Sequence, residues 1–310
     1  MNRSFFVKIQ NHLFCLCSNA YDGLAKTMKL QRFGNPVEFC DRAEPYLLQN
    51  EVAHNLPLRL CKSFREDNYH LKPSYLAVVE QTGEIVAVAI RTPPFPFVLS
   101  NVKDFGAIAV LAQDVQTVEP ELSGVNAPQL VADKFADVWQ QLTNRIPHLH
   151  MAMRIHQLTT VQPVVLPNGT LRLADHHDRA LLTRWYIDFQ QEALQESPEL
   201  TTAEAWAERQ IGYQTIYFWQ VNDRTVSVAS GFPASPNIAV INFVYTPPEL
   251  RKQGYATACV ATLSQHLLDQ GYQSCALFTD LANRTSNKIY RAIGYQPVCD
   301  WNQYRFQPKP

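Results

Sequence analysis

The hydrophobic positions of this chain fall into short β-rich runs separated by polar or proline-bearing turns, and the pattern occurs twice. "SYLAVVEQTGEIVAVAIRTPPFPFVLSNV", from Ser74, and "TIYFWQVNDRTVSVASGFPASPNIAVINFV", from Thr215, share one plan. Each has a β-rich run, a polar turn (Glu80–Glu84; Asn222–Arg224), a second β-rich run, a proline-containing loop and a third run. Each predicts three antiparallel strands. "PELSGVNAPQLVADKFADVWQQL", from Pro120, and "PELRKQGYATACVATLSQHLLDQ", from Pro248, extend the likeness. Both follow an apolar, strand-like run (Ala107–Leu111; Ile238–Val244) and both lead into a helical pattern. In the second, Ala256, Cys259, Val260, Leu263 and Leu267 recur at helical spacing and make one buried face. The shared order argues for a duplicated domain, the alternative being two α+β domains that look alike by chance.

Around these segments the pattern predicts a strand at Thr170–Leu173 and a helix in "DHHDRALLTRWYIDFQQEAL", with Asp175 and Asp178 available as caps. "TTAEAWAERQI" gives a second helix, capped by Thr201 or Thr202. A strand at Cys275–Thr279, a helix at Ala282–Ala292 and a last strand at Trp301–Phe306 follow. The almost uncharged, proline-bearing stretch Thr159–Gly169 is the expected boundary between the halves.

Composition narrows the function classes. A length of 310 residues favours two domains, and 46% hydrophobic against 18% charged residues excludes wholesale disorder. A formal net charge of -1 removes the broad basic field of a nucleic-acid binder. The seven cysteines are an odd set without Cys-x-x-Cys spacing, which suggests reduced thiols and neither a disulfide framework nor a zinc knuckle. No run approaches the roughly 18 apolar residues of a membrane helix. The expectation is a cytoplasmic protein without metal, nucleic-acid or membrane partners, with residues 1–27 as a loose extension or an overlong start.

Candidate chemistry concentrates in "YTPPELRKQGYA", Tyr245–Ala256. A helix N-terminus presents unpartnered N–H groups and a partial positive charge. To use them on a pyrophosphate the backbone must approach closely, which suits Gly254 and Ala256; Arg251 adds a guanidinium, and Lys252 and Gln253 add N–H groups. Downstream, in "NRTSNKIYRAIGY", Asn283, Ser286 and Tyr290 share one stripe of a helix, while Ile289, Ala292 and Ile293 can face a core.

Together these two motifs resemble the GNAT superfamily of acyl-CoA-dependent N-acyltransferases: (Gln/Arg)-x-x-Gly-x-(Gly/Ala), then Asn-x-x-(Ala/Ser)-x-x-(Leu/Ile)-Tyr and a Gly-aromatic pair, here Gly294-Tyr295. The resemblance is good over about Tyr217 to Phe306, and the whole chain is similar to tandem members of that superfamily. It implies an α+β protein of two GNAT-like domains, each a mixed, mostly antiparallel sheet flanked by helices. A degenerate domain would span 28–160 and an acetyl-CoA-binding domain 165–310. It also implies acetyl transfer from acetyl-CoA to an amine of a small molecule or protein, in a monomer or homodimer; a non-catalytic acyl-CoA-binding module is the alternative. Arg251, Lys252, Gln253, Gly254, Tyr255, Ala256 and Thr257 would hold the pyrophosphate. Val244, Tyr245 and Thr246 would pair with the pantetheine arm and aim an N–H at the thioester carbonyl. Asn283 and Ser286 would touch the cofactor, and Tyr290 would act as the acid near the sulfur, or else anchor its helix as an aromatic.

Aligning Pro120 with Pro248 sets Ser123 opposite Arg251, Asn126 opposite Gly254 and Pro128 opposite Ala256, so the first half is expected to lack the phosphate grip. No general base is evident: Glu192 and Glu196 are candidates beside an acceptor cleft, against a solvated helix face or a water relay. Asp175-His176-His177-Asp178 reads as helix capping rather than as a metal site. His148, His150, Arg154 and His156 read as one face of a half-exposed strand.

Overall fold

In the computed structural model, which describes residues 27–66 and 72–309, the β-rich runs are strands and the chain divides into two units. The expected N-terminal extension falls almost wholly on residues outside that description. One unit comprises the chain up to Ala152 together with Asp300–Pro310; the other is Met153–Cys299. The expected ranges, 28–160 and 165–310, thus differ from the compact units most at residues 300–310.

The first unit runs β1 (Met28–Arg32), α1 (Pro36–Leu47), α2 (Asn55–Phe64), β2 (Tyr75–Gln81), β3 (Glu84–Arg91), β4 (Phe97–Leu99), α3 (Gly106–Gln116), β5 (Gly124–Pro128) and α4 (Gln129–Thr143). The strand β6 (Ile146–Leu158) then leads out of it. Alternation along β2 makes the layers: Tyr75, Ala77 and Val79 enter the core beneath α3 and α4, while Leu76 and Val78 enter the core beneath α1 and α2. Residues 300–307 of the final strand β12 (Gln296–Gln307) complete the sheet, pairing antiparallel with β5 from Trp301↔Pro128 to Arg305↔Gly124. Phe306 stacks on Phe135 and Trp139 there, and Asn302 and Tyr304 both donate to Asp133 Oδ1 at 2.8 Å.

One expectation is overturned. Ala107–Leu111 is helix, not strand, because Ala107, Ile108, Leu111, Ala112 and Val115 are spaced to bury one helical face. The strand-to-helix crossover of this unit therefore runs from β4 to α3, and the counterpart of Arg251–Ala256 is the segment around 100–106. Ser123, Asn126 and Pro128, aligned above with the phosphate motif, lie instead on and beside β5.

The segment 100–106 is satisfied by its own unit. Asn101 N donates to His54 Nε2 at 3.1 Å, and Asn101 O accepts from Tyr46 Oη at 2.7 Å. At the head of α3, Gly106 N donates to the Asp104 carboxylate at 2.9 Å. Aligned with α7 of the second unit, this helix start already carries an anion.

His54 is buried, and its Nδ1 lies 2.9 Å from Leu47 O. A carbonyl can only accept, so Nδ1 carries the proton and Nε2 accepts from Asn101. Burial holds this imidazole below its ordinary value, with the Leu47 bond acting the other way. The unfolded chain therefore takes up the proton first as pH falls through about 6.5. Stability is complete above that pH and declines below it. Melting temperature followed from pH 8 to pH 5 is expected to fall more steeply in the wild type than in His54→Gln, which retains an acceptor and does not titrate. Parallel curves would refute the assignment.

The second unit runs β7 (Thr170–Leu173), α5 (Arg179–Phe189), α6 (Leu200–Gly212), β8 (Ile216–Val221), β9 (Arg224–Pro233), β10 (Ile238–Tyr245), α7 (Tyr255–Asp269), β11 (Ser274–Asp280) and α8 (Arg284–Ile293), with residues 153–158 of β6 beside β11. Its sheet order is β6-β11-β10-β9-β8-β7. Phe218 and Val228 point to the core under α5 and α6, and their neighbours Trp219 and Ala229 to the core under α7 and α8. Ile293 of α8 enters that second core and Ile289 packs against it, whereas Ala292, expected to face it, is exposed. Between α7 and the sheet, Gly231 leaves room for Leu263 and Leu267, whose methyls come within 3.1–3.3 Å of a Cβ placed there.

Asp175 caps the short helix His176–Asp178, accepting from His177 N at 2.8 Å, and Asp178 pairs with Arg172 at 2.7 Å. The ligand atoms of Asp175, His176 and His177 lie within 4.8 Å of one another, all three residues exposed, with the Asp175 carboxylate engaged as the cap. No described helix is long and apolar enough to cross a membrane.

Candidate active site: a split strand pair and an open helix N-terminus

The site is built on β10. Its parallel pairing with β11 covers only Ile238–Val240 against Ser274–Ala276, although both strands continue, to Tyr245 and Asp280. From Leu277 to Asp280 β11 stays paired with β6. On the other side β10 follows β9 to Asn242↔Ser230, slips register and resumes at Tyr245↔Val228. At the bulge Phe243 adopts φ +47°, and its N–H takes the Asn242 Oδ1 at 2.7 Å. The two parallel strands therefore part into a V whose open edge is the backbone of 241–245. In "AVINFVY" only Asn242, a polar residue inside an apolar run, signals the bulge.

After Tyr245 the chain turns through Thr246 and two prolines to the start of α7. Ser227 Oγ lies 2.8 Å from Thr246 Oγ1 and donates to Tyr245 O at 3.2 Å, fixing the end of the strand. Lys252 at φ +63° and Gly254 at φ +82° are both left-handed, which turns neighbouring N–H groups toward one side. The first bond of α7 is Ala258 N to Gly254 O, and no side chain caps the helix. The N–H groups of Tyr255, Ala256 and Thr257 have no partner within the helix and follow Arg251 by four to six residues in the chain.

Arg251 is fixed from three directions. Its Nε donates to Thr246 O at 2.9 Å, its Nη2 meets Glu192 Oε2 at 2.5 Å, and its guanidinium carbon stands 5.8 Å from the Tyr245 ring centre. Glu192, a candidate base from sequence, is thus the ion-pair partner of the candidate phosphate ligand. Its other oxygen lies 3.5 Å from the Tyr245 hydroxyl, whose pKa is pushed up to about 12 by burial first and then by Glu192 and Asp188. Tyr245 also packs edge-on to Trp185.

On α8, Asn283 accepts from Ser286 N at 3.0 Å and so caps the helix. Tyr290 is buried in the core beneath α7 and α8, edge-on to Tyr295. Burial and the neighbouring Cys259 hold its phenol well above the ordinary value, with the Ser286 hydroxyl as hydrogen-bond partner opposing them. It stays protonated at neutral pH. The structure joins Val244–Thr246 and Arg251–Thr257 in one turn and sets Asn283, Ser286 and Tyr290 on one adjacent helix. A groove of about 930 Å³ bordered by Leu171, Tyr217, Trp219, His266 and Tyr272 shares no residue with either set.

Residues 179–295 match the family model described as the acetyltransferase (GNAT) family. The second unit is a GNAT domain. An aminoglycoside N(6')-acetyltransferase type 1 from Serratia marcescens is 32% identical over 66 residues, 21% of this chain and 44% of that protein. The chain thus matches less than half the length of this curated relative. A GCN5-related N-acetyltransferase from Sphaerobacter thermophilus superposes with a TM-score of 0.60 at 13% identity, over 91% of this chain and 96% of the other. A tandem GNAT protein from the clavulanic acid biosynthesis pathway does so with a TM-score of 0.58 at 10% identity, over 92% and 99%. Both spans include the first unit, so the tandem GNAT fold extends over the chain although the GNAT motifs occupy one half.

Proposed function

We propose that this protein transfers an acetyl group from acetyl-CoA to an amine, by direct attack in a ternary complex formed at the second unit. The observation that carries this reading is the splay of β10 from β11 ending at an uncapped helix start. An extended amide-bearing arm fits an unpaired strand edge, and a pyrophosphate fits N–H groups beside a guanidinium. Arg251–Thr257 would hold the pyrophosphate, and Val244–Thr246 the arm. A backbone N–H at the bulge would donate to the oxyanion that develops as a neutral amine attacks. Asn283 and Ser286 would contact the cofactor, and Tyr290, protonated at neutral pH, would supply the proton taken by the departing thiolate. Water is the proposed carrier of the proton leaving the amine.

The first unit would bind no acetyl-CoA, because Asp104 and His54 already satisfy its corresponding loop. Titration calorimetry with acetyl-CoA is expected to give one equivalent. Thiol release should follow with primary amines; an aminoglycoside is the first to try, given the relative from Serratia. Tyr290→Phe is expected to retain binding and lower kcat about 10²-fold or more. Binding without thiol release by any amine would favour an acyl-CoA sensing module, and an unchanged kcat in Tyr290→Phe would remove the phenol from the mechanism.

A further inference from the structure

The turn that follows α5 reaches the phosphate loop and occupies its only arginine. We propose that Glu192 is a latch on the cofactor site: it holds Arg251 while no phosphate is bound, yields it to the incoming pyrophosphate, and so weakens CoA binding and couples it to the 190–196 turn. This rests on the reading of Arg251 as a phosphate ligand.

Three features favour exchange over a permanent pair. The ion pair is open to water, each side chain being 43% exposed, so breaking it is cheap. A pyrophosphate carries more charge than one carboxylate and is backed by the α7 N-terminus, so it outcompetes Glu192 for the same fork of N–H groups. The turn is also built to rearrange: Gln190–Leu194 is a π-type turn closed by left-handed Gln195 and by Glu196 N to Gln190 O at 3.1 Å. The Gln190 Oε1 inside it is buried without a hydrogen-bond partner among the described residues, so the closed turn is incompletely satisfied. Once released, Glu192 stays beside the Tyr245 hydroxyl, where its charge is available to a cationic acceptor. CoA then prepares the acceptor side by freeing a carboxylate, and a cationic acceptor in turn favours CoA.

Calorimetry with CoA on four proteins tests this: wild type, Glu192→Gln, Arg251→Ala and the double variant. Glu192→Gln is expected to bind CoA about two- to fivefold more tightly, the range an exposed pair corresponds to. The gain should vanish when Arg251 is alanine. Affinity unchanged or weaker in Glu192→Gln would overturn the latch and leave the cofactor site standing. A gain that persists without Arg251 would also overturn it, as a general effect of removing one negative charge. Absence of CoA binding to the wild type would overturn the latch and the site together.

Discussion

Gly254→Pro is expected to weaken acetyl-CoA binding by more than a hundredfold, while far-UV circular dichroism stays at wild-type intensity. The native φ of +82° cannot be reached by a ring that fixes φ near -65°. The turn carrying Arg251, Lys252 and Gln253 onto the helix must therefore be rebuilt, and the N–H groups it aims are scattered. Gly254→Ala separates conformation from space. A Cβ there meets nothing nearer than Pro167 at 3.5 Å, so alanine is penalised only by the left-handed backbone, about 1–2 kcal/mol. A graded series, glycine over alanine over proline, is the signature of a backbone cradle. Proline binding within threefold of the wild type would show that the cofactor lies elsewhere.

Gly124→Val should cost the first unit more than about 3 kcal/mol, because a Cβ at that position falls 2.0 Å from Tyr304 O and 3.2 Å from Arg305 Cα. Backbone cannot move aside as a flexible side chain can. Relief requires residues 300–307 to leave β5, taking with them the Trp301–Asn126 hydrogen bond, both bonds to Asp133 and the Phe306 stack. Denaturant unfolding followed by hydrogen exchange would show protection lost in residues 27–152 and retained in 153–299. Equal stability of variant and wild type would mean that β12 does not close the first unit.

Much of the second unit was legible from residue pattern. Of the face expected on its motif helix, Cys259, Val260, Leu263 and Leu267 are buried, while Ala256 in the first turn is half-buried. The helix expected at Ala282–Ala292 is present as α8, Arg284–Ile293, although its N-cap Asn283 was read as a position within the helix. The first unit was misread at one element, since "GAIAVLAQ" is apolar enough to pass as a strand, and the matching Pro-Glu-Leu tripeptides lent that error a false register. Length decides such cases: the run continues in helical spacing to Val115, beyond an ordinary strand. The Glu192–Arg251 pair was not legible, and of the Phe243 bulge only Asn242 gave a sign. The pair depends on a contact between residues 59 positions apart, and the bulge on the register of β10 against β9. The same holds for the pairing of β5 with residues 301–305, which no local pattern announces.

That last pairing orders events during synthesis. The first unit is begun by the N-terminal residues but finished by 300–307, so residues 27–152 must wait, with the β5 edge unpaired, while the whole of 153–299 is translated. At ordinary elongation rates the wait is roughly seven to thirty seconds, long compared with the folding of a domain. The second unit, although begun later, has all of its own residues joined before the first unit receives Asp300–Pro310. The half that carries no cofactor motif is the one exposed to chaperones, and mutations that harm expression should concentrate there.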